Sequence, residues 1–133
     1  MILDSSALIA ILRSEPEAET FAEAIERAAR RRISAVNYVE AAAVLDRSRD
    51  PVAARRFDEL LHDIEATIEP VSEAQARVAR EAYRDFGKGS GHPARLNGGD
   101  CFAYALAKES GKPLLFKGGD FSCTDVACAS INT

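Results

Sequence analysis

The first twelve residues, Met1-Ile2-Leu3-Asp4-Ser5-Ser6-Ala7-Leu8-Ile9-Ala10-Ile11-Leu12, constrain this chain more than any other stretch. Ile2 and Leu3 read as a buried strand, and Ala7 to Leu12 as the first turns of a helix behind it. Asp4 and two hydroxyls lie between them. Asp4 is thus expected where a strand hands over to a helix, and in open α/β sheets that edge is where ligands bind. An Asp or Ser in such a place also serves as a helix cap. Asp4 alone fits both roles, and other carboxylates arriving at the same edge would decide between them.

The rest of the chain alternates short apolar runs with helical patterns. Ser14-Glu15-Pro16-Glu17 has the form of a capping box, opening a helix to about Arg30 with Phe21, Ala24, Ile25 and Ala28 on its apolar face. Arg30-Arg31-Arg32 closes it, since cations suit a helix C-terminus. A short strand is expected from Arg32 to Ser34. Ser34 then caps a helix from Ala35 to about Arg47, with Val36, Val39, Ala43 and Val44 on one face and Glu40 near its middle. Asp50-Pro51 opens a helix to about Asp63, striped by Phe57, Leu60, Leu61 and Ile64. Thr67 to Val71 reads as a third strand, and Ser72 to Gln75 as a capping box for a helix to about Phe86.

A Gly-rich loop, Gly87 to Asn97, leads to Asn97-Gly98-Gly99-Asp100, which starts a helix from Cys101 to about Ser110 ended by Gly111. Pro113 to Phe116 is a strand buried on both faces, and Thr124 to Ala129 an edge strand. This alternation predicts one α/β domain over residues 1–133 with a parallel sheet and right-handed crossovers.

Composition narrows the function classes. A net charge of −4 argues against a dedicated nucleic-acid coat, but it does not exclude an enzyme with an acidic metal pocket. Cys101, Cys123 and Cys128 are odd in number and lack a C-x-x-C pair, so they read as reduced thiols. His62 and His92 show no zinc-ligand spacing to them. The apolar run Ala7 to Leu12 is too short to cross a membrane, and a cytoplasmic location is the expectation.

Four carboxylates have related placements. Asp4 ends the first strand, Glu40 lies on the helix after the second, Asp100 stands in a first helical turn, and Asp120 follows the last apolar strand. In a parallel sheet these positions share one edge. Each also has a plain role: a capping or dipole-favoured residue for Asp100, a turn residue for Asp120, a solvated helix position for Glu40. Two bare carboxylates about 4 Å apart repel by roughly 4 kcal/mol at an effective dielectric near 20. Four together require a cation. Oxygen-only ligands suit a hard ion, Mg²⁺ or Mn²⁺, and such a site best supports phosphodiester hydrolysis.

These residues also carry a family resemblance. Asp4-Ser5-Ser6-Ala7-Leu8, the helix with Glu40, the stretch Gly87 to Ala107, and Leu115-Phe116-Lys117-Gly118 followed by Asp120-Phe121 and Thr124-Asp125 resemble PIN-domain ribonucleases, most closely the VapC toxins of bacterial toxin–antitoxin pairs. The resemblance implies a three-layer α/β/α sandwich with a short-stranded, mainly parallel sheet. It also implies a Mg²⁺- or Mn²⁺-dependent endoribonuclease with Asp4, Glu40, Asp100 and Asp120 as the acidic quartet. Its implied partners are an RNA substrate and a cognate antitoxin, with a homodimer inside a toxin–antitoxin hetero-oligomer and no membrane. Ser5, Asn97, Thr124 and Asp125 are candidates to orient the site from behind. Lys88, His92, Arg95 and Lys117 are candidates to meet RNA phosphates, or else solvated loop cations. Gly98 and Gly119 depart from the family pattern, where an apolar or aromatic residue and a polar residue are expected. A catalytically degenerate PIN-fold binding module and a receiver-like phosphoacceptor domain are the alternatives. The second fits poorly, because serines follow Asp4 and Lys112-Pro113 precedes its strand.

Overall fold

The computed structural model describes residues 1–131. Four short strands form one sheet: β1 (Ile2–Leu3), β2 (Arg32–Ser34), β3 (Thr67–Glu69) and β4 (Leu114–Leu115), in the order β3-β2-β1-β4. All three pairings are parallel, with Ile2 opposite Arg32 and Leu114, Leu3 opposite Leu115, and Ile33 opposite Ile68. Six helices surround it: α1 (Ser5–Leu12), α2 (Ala18–Arg27), α3 (Ala35–Arg47), α4 (Pro51–Asp63), α5 (Glu73–Phe86) and α6 (Gly98–Ser110).

Successive strand residues face opposite sides of a sheet, and the register sorts them into two cores. Ile2 and Leu114 face one way, where they pack with Ala79 and Ala82 of α5, with α6 and with Phe121. Leu3, Ile33 and Leu115 face the other way, against Leu8, Phe21, Ile25, Ala41, Leu45, Phe57 and Leu61 from α1 to α4. Helices thus cover both faces, in the α/β/α sandwich expected. Because both faces are covered, the two-residue strands β1 and β4 are wholly apolar.

Several local expectations need correction. The helix after Pro16 runs only from Ala18 to Arg27, and its N-cap Glu17 makes no side-chain capping bond, so the Ser14–Glu17 box does not form. Ser14 instead adopts φ 51° in the tight exit from α1. The arginine triplet divides. Arg31 donates from Nε to Ile25 O and from Nη2 to Glu26 O, closing α2 from beyond its end, while Arg32 enters β2 and pairs with Glu69 at 3.7 Å. On α3 the buried face is Asn37, Ala41 and Leu45, at i, i+4 and i+8, whereas Val39 is 63% exposed. The face is rotated from the one expected because α3 is wedged among α1, α4 and α6. The last segment is no edge strand. Phe121–Cys123 is a 3-10 turn, and a single bridge joins Leu114 to Cys128.

The sheet centre is its most buried part, with Ile2, Leu3, Ile33 and Leu114 fully buried. Leu3 is fully buried, whereas Ile68 of β3 is 44% exposed. Leu3→Ala is expected to lower the unfolding free energy by about 2–5 kcal/mol, and Ile68→Ala by clearly less. Urea titrations followed by circular dichroism check this, and equal losses would place the core elsewhere.

Candidate active site

The carboxyl end of β1 delivers Asp4 straight into the N-terminus of α1. Its backbone N–H donates to Leu115 O of β4 at 3.0 Å. Its Oδ2 accepts from Ser6 N at 3.0 Å and from Ser6 Oγ at 2.6 Å, so Asp4 does cap the helix. The other oxygen is different. Asp4 is 3% exposed, and its Oδ1 is buried with no hydrogen-bond partner. A buried unpaired acceptor costs about 1–3 kcal/mol, more when it is charged. The cap accounts for one oxygen of Asp4 and leaves the other buried without a partner.

Glu40 comes from α3. Its Oε1 accepts from Ser5 Oγ at 2.7 Å, and the same hydroxyl approaches Asn37 O at 3.1 Å. Its carboxylate lies against Gly99 in the first turn of α6, where an added Cβ would overlap both carboxylate oxygens. Asp100 follows at once. It closes a reciprocal capping box with Asn97: Asp100 N donates to Asn97 Oδ1 at 2.8 Å, and Asn97 N donates to Asp100 Oδ2 at 3.0 Å. One Asp100 oxygen is thereby spent on the cap and the other is left over. Asp120 is exposed at the start of the 3-10 turn and makes no side-chain capping bond.

The four charges act on one another. Burial raises the Asp100 carboxyl to about 6, the Asn97 N–H bond opposes the rise, and the charges of Asp4, Glu40 and Asp120 add to it. Asp4 is also raised, chiefly by burial and further by Glu40, against the Ser6 bonds. Among the described residues no Lys or Arg pairs with any of the four.

The other candidates divide. Ser5 and Asn97 hold Glu40 and Asp100, as above. Thr124 donates to Phe121 O and accepts from Val126 N, and Asp125 is taken up by Tyr104 OH at 2.5 Å and Lys108 Nζ at 3.0 Å. The Asp125 contacts hold the C-terminal segment to α6, and the Thr124 bonds close the turn before it. Lys117 turns to Glu15 and to Glu17 at 3.4 Å, so its charge is already met. His92 is a loop anchor: its Nδ1 accepts from Ala94 N at 3.0 Å, and its ring stands edge-on to Phe86 at 4.9 Å. Lys88 and Arg95 are exposed on the loop before Asp100, with no ion pair among the described residues. At Gly98 and Gly119 an added Cβ would meet nothing within 4 Å, so the space for larger side chains is there.

Sequence reasoning missed Ser6. Its hydroxyl donates to Asp4 Oδ2 and accepts from Lys117 N at 2.9 Å, tying the exit of β4 to Asp4. The signal was present, because the residue two beyond an Asp cap is the one whose N–H returns to it.

The family model for the PIN domain matches residues 1–126. This chain is a PIN-domain protein of the VapC ribonuclease family. It is 56% identical over 126 residues to ribonuclease VapC28 of Mycobacterium tuberculosis, covering 95% of both chains. Among solved structures it resembles M. tuberculosis VapC20, titled a sarcin-ricin loop cleaving toxin, with a TM-score of 0.75 at 18% identity over 95% of each chain. It also resembles a toxin–antitoxin complex from Klebsiella pneumoniae, with a TM-score of 0.69 at 17% identity, covering 91% of this chain and 89% of that one. Membership in this family removes the receiver-like alternative. No helix among the described residues is long and apolar enough to cross a membrane.

The raised Asp100 carboxyl has a consequence for stability. Between about pH 4 and 6 the folded protein holds a proton there that the unfolded chain has released, so metal-free stability falls as pH rises through that window. Asp100→Asn keeps the cap and loses the titration. Its urea midpoint is expected to be higher than that of wild type at pH 7 and to vary less across the window. A slope matching wild type would mean that the carboxyl titrates normally.

Proposed function

We propose that the four carboxylates are the catalytic centre of a divalent-metal-dependent endoribonuclease, and that Asp4 and Asp100 hold the cation. The buried Oδ1 of Asp4, which no donor reaches, carries this reading. Among the described residues no group of three or more His, Cys, Asp or Glu side chains is placed to hold a metal ion by itself. That suits Mg²⁺, which keeps several waters and binds through one or two carboxylates. Asp4 Oδ1 and the uncommitted oxygen of Asp100 are those two. Glu40 and Asp120 stand behind them to orient water and add negative charge. When bound, a cation of this kind neutralises charge developing on the phosphate and makes water more acidic. The chain does the rest. Ser5 fixes Glu40, Ser6 fixes Asp4, and Asn97 fixes Asp100, so three carboxylates are oriented before substrate arrives.

Lys88 and Arg95, on the loop leading to Asp100, are placed to meet RNA phosphates. His92 and Lys117, each held within the protein, serve to shape that edge. We further propose a toxin role with a cognate antitoxin, which kinship with VapC ribonucleases and the likeness to a toxin–antitoxin complex support, together with a homodimer within the complex and a cytoplasmic location. A degenerate binding module is disfavoured, because all four carboxylates are present and their charges are coupled.

RNA cleavage is expected to require Mg²⁺ or Mn²⁺ and to be lost in Asp4→Asn and Asp100→Asn with the fold retained; full activity in excess EDTA would sink the mechanism. Protons compete with the metal at Asp100, so the Mg²⁺ requirement should rise as pH falls below about 6.

Glu40 makes a separate test. Mg²⁺ that binds only the folded state raises the melting temperature. Glu40→Gln is expected to shrink that rise, while Glu23→Gln, on the exposed side of α2, leaves it unchanged. Equal rises in wild type and Glu40→Gln would put Glu40 outside the centre.

A further inference from the structure

A polar residue lies in the interior beside this site, and none of the roles above uses it. Asn37 is 0% exposed, on the buried face of α3 between apolar neighbours. Its Nδ2 donates to Gly99 O at 3.0 Å, 62 residues away in sequence, and its Oδ1 is buried without a partner. Burying a carboxamide with half its capacity unmet costs free energy that a leucine of similar size would not. Something other than packing keeps it there.

Gly99 O and Asp100 N belong to one peptide group, which is planar and rigid. Asn37 Nδ2 holds that plane by its oxygen, and Asn97 Oδ1 holds it by its N–H at 2.8 Å. The peptide that carries Asp100 is therefore fixed at both ends. The same stretch of α3 delivers a second group to the same spot. Asn37 and Glu40 stand three residues apart, on neighbouring positions of one helix face, and Glu40 rests against the Cα of Gly99. The backbone carbonyl of Asn37 also lies 3.1 Å from the hydroxyl of Ser5, the residue after Asp4. Asn37 thus touches the segments that carry Asp4 and Asp100, and shares its own helix with Glu40.

We infer that Asn37 is a positioning residue of the nuclease centre, which sets the place of Asp100 relative to Asp4 and Glu40 by clamping the Gly99–Asp100 peptide. This rests on the proposed nuclease function and adds a residue to it. A merely structural Asn would stabilise the α3–α6 contact, and its loss would lower the melting temperature by the same amount with or without metal. A positioning role predicts more. A small displacement of Asp100 disturbs the spacing of the two carboxylates proposed to hold the cation.

The test compares wild type with Asn37→Leu, which keeps the branching of the side chain without a donor, and with Asn37→Ser, which keeps a small polar group that is too short to reach Gly99. Three quantities are read: RNA cleavage as kcat and KM, the Mg²⁺ concentration giving half activity, and the melting temperature with and without Mg²⁺. In both variants kcat is expected to fall at least tenfold with KM little changed. The half-activating Mg²⁺ concentration should rise several-fold, and the Mg²⁺-induced gain in melting temperature should shrink. If Asn37→Leu does not fold, Asn37→Ser is read alone by the same criteria. Wild-type kcat and an unchanged Mg²⁺ response in a folded variant, whatever its melting temperature, would overturn the inference and leave the nuclease reading intact. A wild type that neither cleaves RNA nor responds to Mg²⁺ would overturn both.

Discussion

Negative charge gathered at one end of a parallel sheet, and held there by neutral donors, is the constraint on which the rest of this structure depends. Asp4 is oriented by Ser6, Glu40 by Ser5 and Asp100 by the N–H of Asn97. No lysine or arginine among the described residues pairs with them, although the chain carries 17 such residues and one of them, Lys117, lies two residues beyond β4. Lys117 is drawn off by Glu15 and Glu17 in the turn before α2. Had it reached Asp4, the site would have neutralised itself, and an external cation would have gained little by entering. Diverting the available cation keeps the repulsion in place, and that repulsion adds to the burial that raises the Asp100 carboxyl.

That arrangement needs three helices to meet at close quarters, and the residues at the meeting point reflect it. Gly99 leaves room for the Glu40 carboxylate where any side chain would collide with it. Helix N-termini face the group twice, at α1 and at α6, and their partial positive charge offsets some of the repulsion. The same peptides are also the capping donors, so the elements that terminate the helices are those that aim the carboxylates. Folding and the aim of the carboxylates draw here on one set of bonds, and a change that disrupts the caps disturbs that aim.

This explains what could be read from the sequence. The caps at Asp4, Ser34, Asp50, Ser72 and Asn97 are local signals, each a side chain answering an N–H two or three residues on, and all five form. Strand and helix alternation is also local, so the sheet and its parallel sense were legible, and so was the placement of Asp4 and Asp100 at helix starts. One local signal, the Ser14–Glu17 box, does not form; the other failures depend on contacts distant in sequence. The buried face of α3 is chosen by α1, α4 and α6 together, and the apolar Val36–Val39 pattern pointed to the wrong side. Asn37 was hidden by that error: a residue read as lying off the apolar face turns out to be wholly buried. Asp125, a candidate from the family resemblance, and Lys117, a candidate from its place at the sheet edge, each take a partner that only the fold supplies.

The remaining question for an acidic protein is how it meets a polyanion. Two arginines beside the sheet are spent internally: Arg31 on the end of α2, Arg32 on Glu69. Lys88 and Arg95 are exposed on the loop between α5 and α6, with no ion pair among the described residues. That loop is not slack. Lys88 N donates to Leu96 O and Leu96 N to Phe86 O, while His92 is set against Phe86 and receives the N–H of Ala94. Leu96 and Ala94 are fully buried beneath it. Arg95, between those two anchors, adopts φ 52°, a left-handed conformation in which an arginine is strained. The strain is sustained because both neighbours are buried, and its effect is to turn the Arg95 side chain outward two residues before the Asn97 cap. A cation is thus carried out to the rim by the same short segment that fixes Asp100. The protein places positive charge beside its acidic centre without letting the two neutralise each other.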